Sequence, residues 1–233
     1  MTGRIHSFQT LGTLDGPGVR FVAFLHGCNL HCGYCHNIDV CKGTFLEFTS
    51  DEVVEKALRY QEYFGEQGGI TLSGGEPLLQ SEFTAEIFRL CKEKGIHTVL
   101  DTSGSIWNSS VSSVLDYCDL VLLDLKMTNE EDYQKQIGCS LSSPLFFLDE
   151  LEKRNIPCWI RHVVVGGLND TEENILTLKK LTEGKQWIQK TELLPFHKLC
   201  IEKYKALGIP FPFEQFHEPK KERMHQLNQL LNK

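Results

Sequence analysis

Short apolar runs rich in β-branched residues alternate with longer amphipathic runs along most of this 233-residue chain. That alternation is the sequence signature of βα units joined into a parallel sheet, and few other folds accommodate it. Six runs read as strands: Val19 to Leu25, Gly69 to Leu72, His97 to Asp101, Leu120 to Asp124, Cys158 to Val165 and Ile188 to Leu194. The run at Leu120 to Asp124 is apolar without alternation, as a strand covered on both faces must be. Helices fill the intervals. One is announced by Thr49 with Glu52 three residues on, a capping-box pattern, and carries Val53, Val54, Ala57 and Leu58 on its apolar face. Others are expected from Ser81 to a stop near Gly95, from Ser110 to Tyr117, from Thr171 to Leu181 and from Pro219 to Leu231. Shorter segments are expected near Asn129 to Ile137 and Pro144 to Arg154, and the proline-interrupted stretch from Leu199 to Pro219 reads as an irregular surface excursion. Six such units are too few to close an eightfold barrel. The expected architecture is therefore α/β: an open partial (β/α)6 barrel of parallel strands with outer helices, as a single domain over residues 1–233.

Sheets of this kind bind ligands at the carboxyl ends of their strands. The chemically conspicuous residues fall there. Cys28 follows the first strand, Gly74 to Glu76 follow the second, Asp101 ends the third, Asp124 and Lys126 end the fourth, and His197 follows the sixth. Asp101, Thr102 and Asp124 bring hard oxygen donors to one rim, a set suited to a non-transition cation.

Charge narrows the partners. With 24 Lys and Arg against 31 Asp and Glu, a net charge of -7 offers no chain-wide case for nucleic acid or an anionic membrane surface. No stretch approaches the roughly 18 consecutive apolar residues of a membrane span, and Met1 to Thr10 lack the apolar core of a signal peptide, so a cytoplasmic location is expected. Nine cysteines form an odd set, poorly explained as a secreted disulfide framework. Cys41, Cys91, Cys118, Cys139, Cys158 and Cys200 are widely spaced and read as small packed residues.

The other three lie within eight residues, as Cys28-x3-Cys32-x2-Cys35. Soft thiolates this close select zinc or iron–sulfur chemistry over hard cations. A structural zinc site needs a fourth ligand, for which His36 or Cys41 stands near. A [4Fe-4S] cube held by three cysteines keeps one iron open to a ligand instead. Spacing alone leaves both readings standing.

With Tyr34 inside it, the segment Gly27-Cys28-Asn29-Leu30-His31-Cys32-Gly33-Tyr34-Cys35-His36-Asn37 resembles the signature of the radical S-adenosylmethionine enzymes. Further segments, among them Asp15-Gly16-Pro17-Gly18-Val19-Arg20-Phe21, Leu100-Asp101-Thr102, Trp159-Ile160-Arg161 and Leu193-Leu194-Pro195-Phe196-His197, resemble the activases of glycyl-radical enzymes, those of pyruvate formate-lyase in particular. The resemblance implies that Cys28, Cys32 and Cys35 hold a [4Fe-4S] cluster whose open iron binds S-adenosylmethionine. Its reductive cleavage would give methionine and a 5′-deoxyadenosyl radical that takes a glycine Cα hydrogen from a loop of pyruvate formate-lyase. It further implies cofactor contacts from Tyr34, His36, Gly74, Gly75 and Glu76, from Asp124, Leu125 and Lys126, and from His197 near the adenosyl group. Arg161 is expected to meet a carboxylate or ribose oxygen. A monovalent cation would sit on Asp101, Thr102 and Asp124, completed by the Leu122 carbonyl, and a flavodoxin-like or ferredoxin-like protein would donate electrons. Asp15, in a Gly-Pro turn, is the candidate contact for the incoming glycyl loop. Pro77 and the segment Phe211 to Glu218 depart from the family pattern, and the short interval from Cys35 to Thr49 leaves no room for extra clusters. The competing readings are an activase of another glycyl-radical enzyme and a zinc-stabilised binding module.

Overall fold

The computed structural model describes residues 1–232. Its strands are β1 (Thr2–Gly12), β2 (Arg20–Leu25), β3 (Leu46–Thr49), β4 (Gly69–Gly74), β5 (His97–Thr102), β6 (Leu120–Asp124), β7 (Cys158–Val164) and β8 (Ile188–Pro195). They form one open sheet in the order β3-β1-β2-β4-β5-β6-β7-β8. Every pairing from β2 to β8 is parallel, and those six strands are the six expected from the sequence. Two more, β1 and β3, extend the β2 edge antiparallel. They were not expected, because β1 buries only alternate residues near its start and presents polar side chains afterwards.

The helices are α1 (Ile38–Lys42), α2 (Ser50–Leu58), α3 (Ser81–Glu93), α4 (Ser109–Leu115), α5 (Glu130–Asp132), α6 (Ser142–Lys153), α7 (Glu172–Thr182), α8 (Ile201–Ala206) and α9 (Lys221–Leu231). The Thr49 capping box forms as its spacing dictates, with the Glu52 amide donating to the Thr49 hydroxyl at 3.3 Å and the Glu52 carboxylate accepting from the Thr49 amide at 2.7 Å. Period two along each strand divides the sheet into faces. Phe21, Ala23 and Leu25 of β2, Ile70 and Leu72 of β4, Val121 and Leu123 of β6 join one core with the apolar stripes of the outer helices, such as Val53 and Ala57 of α2 or Phe83 and Ile87 of α3. The alternate residues form the inner face. Arg20, Thr71 and Val99 occupy its amino-terminal end, and Ser73, Asp101, Asp124 and Arg161 its carboxyl end. Alternation thus places polar side chains at both ends of the inner face, and gathers Ser73, Asp101, Asp124 and Arg161 at the carboxyl end before any loop is considered.

The expectation for residues 199–219 is corrected. Instead of an irregular excursion over the surface, the segment contains α8 and buries Cys200, Tyr204 and Phe213. The Tyr204 hydroxyl donates to the Cys35 carbonyl at 3.1 Å, and the Phe213 ring meets Tyr34 edge-on at 5.7 Å between centroids. A Cβ on Gly33 would lie 1.9 Å from that ring, so only glycine permits the approach. The prolines keep this stretch out of the sheet without keeping it out of the core.

Candidate functional site

The cysteine loop leaves β2 at Gly27, whose φ of 98° is a left-handed conformation suited to glycine. Several partners pin its backbone. The Glu76 amide donates to the Gly27 carbonyl at 2.8 Å, and the His31 and Gly33 amides donate to the Ile137 and Gln136 carbonyls at 2.9 and 3.0 Å. Those carbonyls are free because Tyr133–Ile137 is a terminal π turn, ending at Gly138, with no further helix to use them. The glycines after β4 close the other side. A Cβ on Gly74 would meet the Leu25 carbonyl oxygen at 2.4 Å, and one on Gly75 would meet that of Gly27 at 2.0 Å. A glycine pair is therefore the condition for bringing the β4 end against the cysteine loop.

The result is a cavity of 570 Å³ at the carboxyl end of the sheet. Its wall contains Cys28, Cys32, Cys35, Tyr34 and His36 from the loop, Gly74 and Gly75 from β4, and Asp101 and Thr102 from β5. Asp124 and Lys126 follow from β6, Arg161 from β7 and His197 from beyond β8. Three expected residues are not on the wall. Glu76 is buried with its carboxylate accepting from the Leu78 amide (3.1 Å), the Thr102 hydroxyl (2.7 Å) and the Ser103 amide and hydroxyl (2.9 and 2.5 Å). Burial pushes its pKa up, against those donors, and the group's work is to tie the β4 rim to the β5 rim. Leu125 belongs to the apolar core and presents its carbonyl away from the wall, to His162. Asp15 stands in the turn before β2, where burial, then the neighbouring Asp101, raises its pKa. The Leu122 side chain is fully buried within β6 and is likewise off the wall.

One network organises the charge. Arg161 bridges Asp101 and Asp124, meeting Asp124 at 3.0 Å, while the Lys126 ammonium meets the other Asp124 oxygen at 2.9 Å. Asp101 also accepts from the Ser73 hydroxyl at 2.6 Å. Burial alone would lift the Asp124 pKa, but the two cations overcome it and hold the carboxyl near 2. Burial would likewise discharge Lys126, yet Asp124 and the Cys32 thiol beside it keep its pKa well above the usual value. Both groups are ionised on the cavity wall, where a ligand's carboxylate or ammonium can exchange for one partner.

The thiols are not equivalent. Burial pushes Cys32 up to about 12, whereas the neighbouring Cys41 thiol lowers Cys28 and Cys35, Cys35 to about 7. Cys41, which read as a packed residue, lines the cavity as a fourth thiol. Its place six residues beyond Cys35, on the single turn of α1, was the available signal. Among the described residues no three His, Cys, Asp or Glu side chains stand grouped as a single metal-ion site. The Tyr34 hydroxyl is buried on the wall without a partner, as expected where a polar ligand completes the site. Ser73 and Ser103 also line the wall, and motif reading passed them over since nothing local distinguishes them; His162 lies behind it, fully buried.

The model of the Radical SAM superfamily matches residues 22–178. The chain is 41% identical over 231 residues to the pyruvate formate-lyase-activating enzyme of Clostridium pasteurianum, covering 98% of this chain and 97% of that one. It is 40% identical over 233 residues to the pyruvate formate-lyase 1-activating enzyme of Escherichia coli (strain K12), covering 98% and 95%. Among solved structures, a domain of pyruvate-formate lyase-activating enzyme from Bacteroides vulgatus ATCC 8482 superposes with a TM-score of 0.59 at 27% identity, over 71% of this chain and 93% of that one. Streptococcus suis SuiB bound to S-adenosylmethionine shares the fold, with a TM-score of 0.68 at 14% identity over 88% of this chain and 44% of that one.

Proposed function

The chain belongs to the radical SAM superfamily and, within it, to the pyruvate formate-lyase-activating enzymes, and on that premise we propose that it installs the glycyl radical on pyruvate formate-lyase from the cavity described above. When bound there, a [4Fe-4S] cluster supplies one electron to S-adenosylmethionine, whose reductive cleavage yields methionine and a 5′-deoxyadenosyl radical able to take a glycine Cα hydrogen.

The chain's own residues do the rest. Cys28, Cys32 and Cys35 would hold the cluster, and the chain's proposed role there requires that they be its only protein ligands. Lys126 offers its ammonium to a carboxylate, and Asp124, already ionised, offers oxygens to ribose hydroxyls or a cofactor ammonium. The backbone of Gly74 and Gly75 would receive the methionyl end, while Glu76 acts through the rim it ties together. Tyr34 and His36 on the same wall would lie beside the cluster, and His197 would meet the adenosyl end. A monovalent cation on Asp101, Thr102 and Asp124 is the finer expectation, and it would have to displace the guanidinium of Arg161, which spans the two carboxylates. Arg161 so released would meet a carboxylate or ribose oxygen of the cofactor, and Asp15 is the proposed contact for the incoming loop. A glycine Cα–H suits this chemistry because its radical is delocalised over the flanking amides and no side chain obstructs the approach.

A flavodoxin-like or ferredoxin-like protein is the proposed electron donor, and the cytoplasm the proposed location. No helix among the described residues is long and apolar enough to cross a membrane.

The observation that carries this reading is the meeting of three motif thiols, the glycine pair and the Asp124–Lys126 pair on one wall. The test is anaerobic reconstitution followed by incubation with reductant, S-adenosylmethionine and pyruvate formate-lyase. A glycyl-radical signal by electron paramagnetic resonance is expected, absent for Cys32→Ala. A wild-type protein loaded with about four irons per chain that gives no radical on this lyase would redirect the search to another glycyl-radical enzyme. A protein that takes up zinc in place of iron and sulfide would end the reading altogether.

A further inference from the structure

β6 stops pairing at Asp124, which lies beside Arg161 of β7, and the chain then leaves the sheet. The next carbonyl, that of Leu125, is buried and needs a partner outside the ladder. His162, fully buried, supplies it: its Nδ1 stands 2.6 Å from the Leu125 oxygen. A carbonyl only accepts, so Nδ1 carries the proton and Nε2 presents a lone pair. Two amides meet that lone pair, Nδ2 of Asn174 at 3.0 Å and Nδ2 of Asn169 at 3.3 Å. The Asn169 amide cannot turn over, because both its ends meet backbone, and the Asn174 amide is oriented by the Nε2 lone pair that it faces. Asn174 Oδ1 accepts from the Thr128 hydroxyl at 2.6 Å, and Asn169 Oδ1 accepts from the Val165 amide at 2.6 Å while its Nδ2 also donates to the Val163 carbonyl at 2.9 Å. The tautomer is thereby determined from both ends, and burial keeps the ring neutral.

We propose that His162 is a positioning residue for the Asp124–Lys126 segment, fixing through the Leu125 carbonyl where Asp124 and Lys126 stand in the cavity. The proposal rests on the reading that this segment meets S-adenosylmethionine. Adjacent residues of β7 would then govern both sides of one short segment: Arg161 grips Asp124 from within the lumen, and His162 grips Leu125 from behind. The same network holds the chain again at Thr128, two residues past Lys126, whose own amide donates to the Tyr133 hydroxyl at 2.9 Å. The Lys126 ammonium is thus carried on a backbone tied down before it, at it and after it. None of these ties touches the cysteines, so loosening them should alter cofactor binding without altering the cluster.

Two polar replacements separate the roles of the ring nitrogens. In His162→Asn the amide nitrogen falls near the position of Nδ1 and can still donate to the Leu125 carbonyl. In His162→Gln it falls near Nε2 and leaves that carbonyl without a donor. Binding of S-adenosylmethionine to the cluster-loaded protein is measured by calorimetry, alongside hydrogen exchange of the amides of residues 125–128. The Gln variant should bind about tenfold more weakly, the scale of one orphaned buried acceptor, and exchange faster. The Asn variant should stay within about threefold of wild type by the same reasoning. Iron content and the electron paramagnetic resonance spectrum without cofactor should match wild type in both. A Gln variant that binds like wild type, or an Asn variant weakened equally, overturns the proposal. Should the Gln variant not fold, Thr128→Val takes its place. That isosteric change removes the donor to Asn174 Oδ1 and with it the tie that holds the chain at residue 128, with weaker binding expected and unchanged binding counting against the proposal. Loaded wild type that fails to bind the cofactor at all overturns the functional reading and this proposal with it, whereas a failure confined to the variants overturns the proposal alone.

Discussion

Two arginines are buried in the lumen of this sheet, one at each end, and they are held in opposite ways. Arg20, at the amino-terminal end, meets only neutral groups: the Thr71 hydroxyl at 3.0 Å, the carbonyls of Gln67 and His97 at 3.1 Å, those of Pro17 and Ile70, and the His97 ring. Burial lowers its pKa to about 10. Arg161, at the carboxyl end, bridges two carboxylates whose attraction outweighs burial and raises its pKa. The difference separates a plug from a site. Carbonyl oxygens belong to the fold and cannot leave the guanidinium, whereas Asp101 and Asp124 can exchange it for a ligand. Charge that is paired with other mobile charge marks the working end of the lumen, and charge satisfied by backbone marks the structural end.

That contrast can be broken by substitution. Arg20→Met should cost about 4 kcal/mol of stability by denaturant unfolding, since several buried acceptors lose their donor at once. Cofactor affinity per folded molecule should be unchanged, and a variant of wild-type stability would show that the plug is not a plug. Arg161→Lys keeps the charge and loses the fork across two carboxylates. The rate of glycyl-radical formation should fall by about 30-fold, near 2 kcal/mol, with less than about 1 kcal/mol lost in stability. The reverse pattern, stability lost and rate kept, would make Arg161 a second plug like Arg20.

The carboxyl end should also answer to pH through His162, whose pKa burial lowers to about 4. Unfolded, the ring titrates near 6.5, so the neutral folded form contributes stability fully above that pH and loses it as pH falls toward 4. Between pH 8 and pH 5.5 the expected loss from this ring is about 1.4 kcal/mol. His97 and His36 are shifted in the same direction. The quantity to compare is therefore the pH slope of wild type against that of His162→Asn, which should be flatter by this amount. Equal slopes would show that His162 plays no part in the pH response. The smallest effect belongs to Asp15→Asn, for which a roughly threefold rise in the KM for the lyase is expected from one lost charge contact, with cofactor affinity unaltered.

The six parallel strands were legible because each is a short apolar run with a turn or cap signal at its end, and burial on both faces leaves such runs little else to be. β1 and β3 were not, because strands at the antiparallel edge carry polar residues on their exposed side and lack the continuous pattern. The 199–219 stretch misled for a local reason. Its prolines exclude regular pairing, but Tyr204 and Phe213 pack on the cysteine loop through contacts that only the folded chain creates. The site divides similarly. Cys28, Gly74, Asp124 and Lys126 announce themselves by spacing and by position after a strand. Glu76 and Leu125 stand in the right segments yet face away from the cavity, since alternation and turn geometry decide direction residue by residue. Cys41 could be read from its nearness to the motif, whereas His162 acts through a backbone carbonyl and partners distant in sequence, and no motif encodes that.

Radical generation in this cavity requires an iron with no protein ligand, and therefore a Cys41 that neighbours the cluster without becoming its fourth ligand. The direct measurement is the electron paramagnetic resonance spectrum of the reduced, anaerobically reconstituted protein, recorded with and without excess S-adenosylmethionine. The spectrum of wild type should shift on addition, and that of Cys41→Ala should shift likewise. A wild-type spectrum indifferent to the cofactor, made responsive only by removing Cys41, would contradict it.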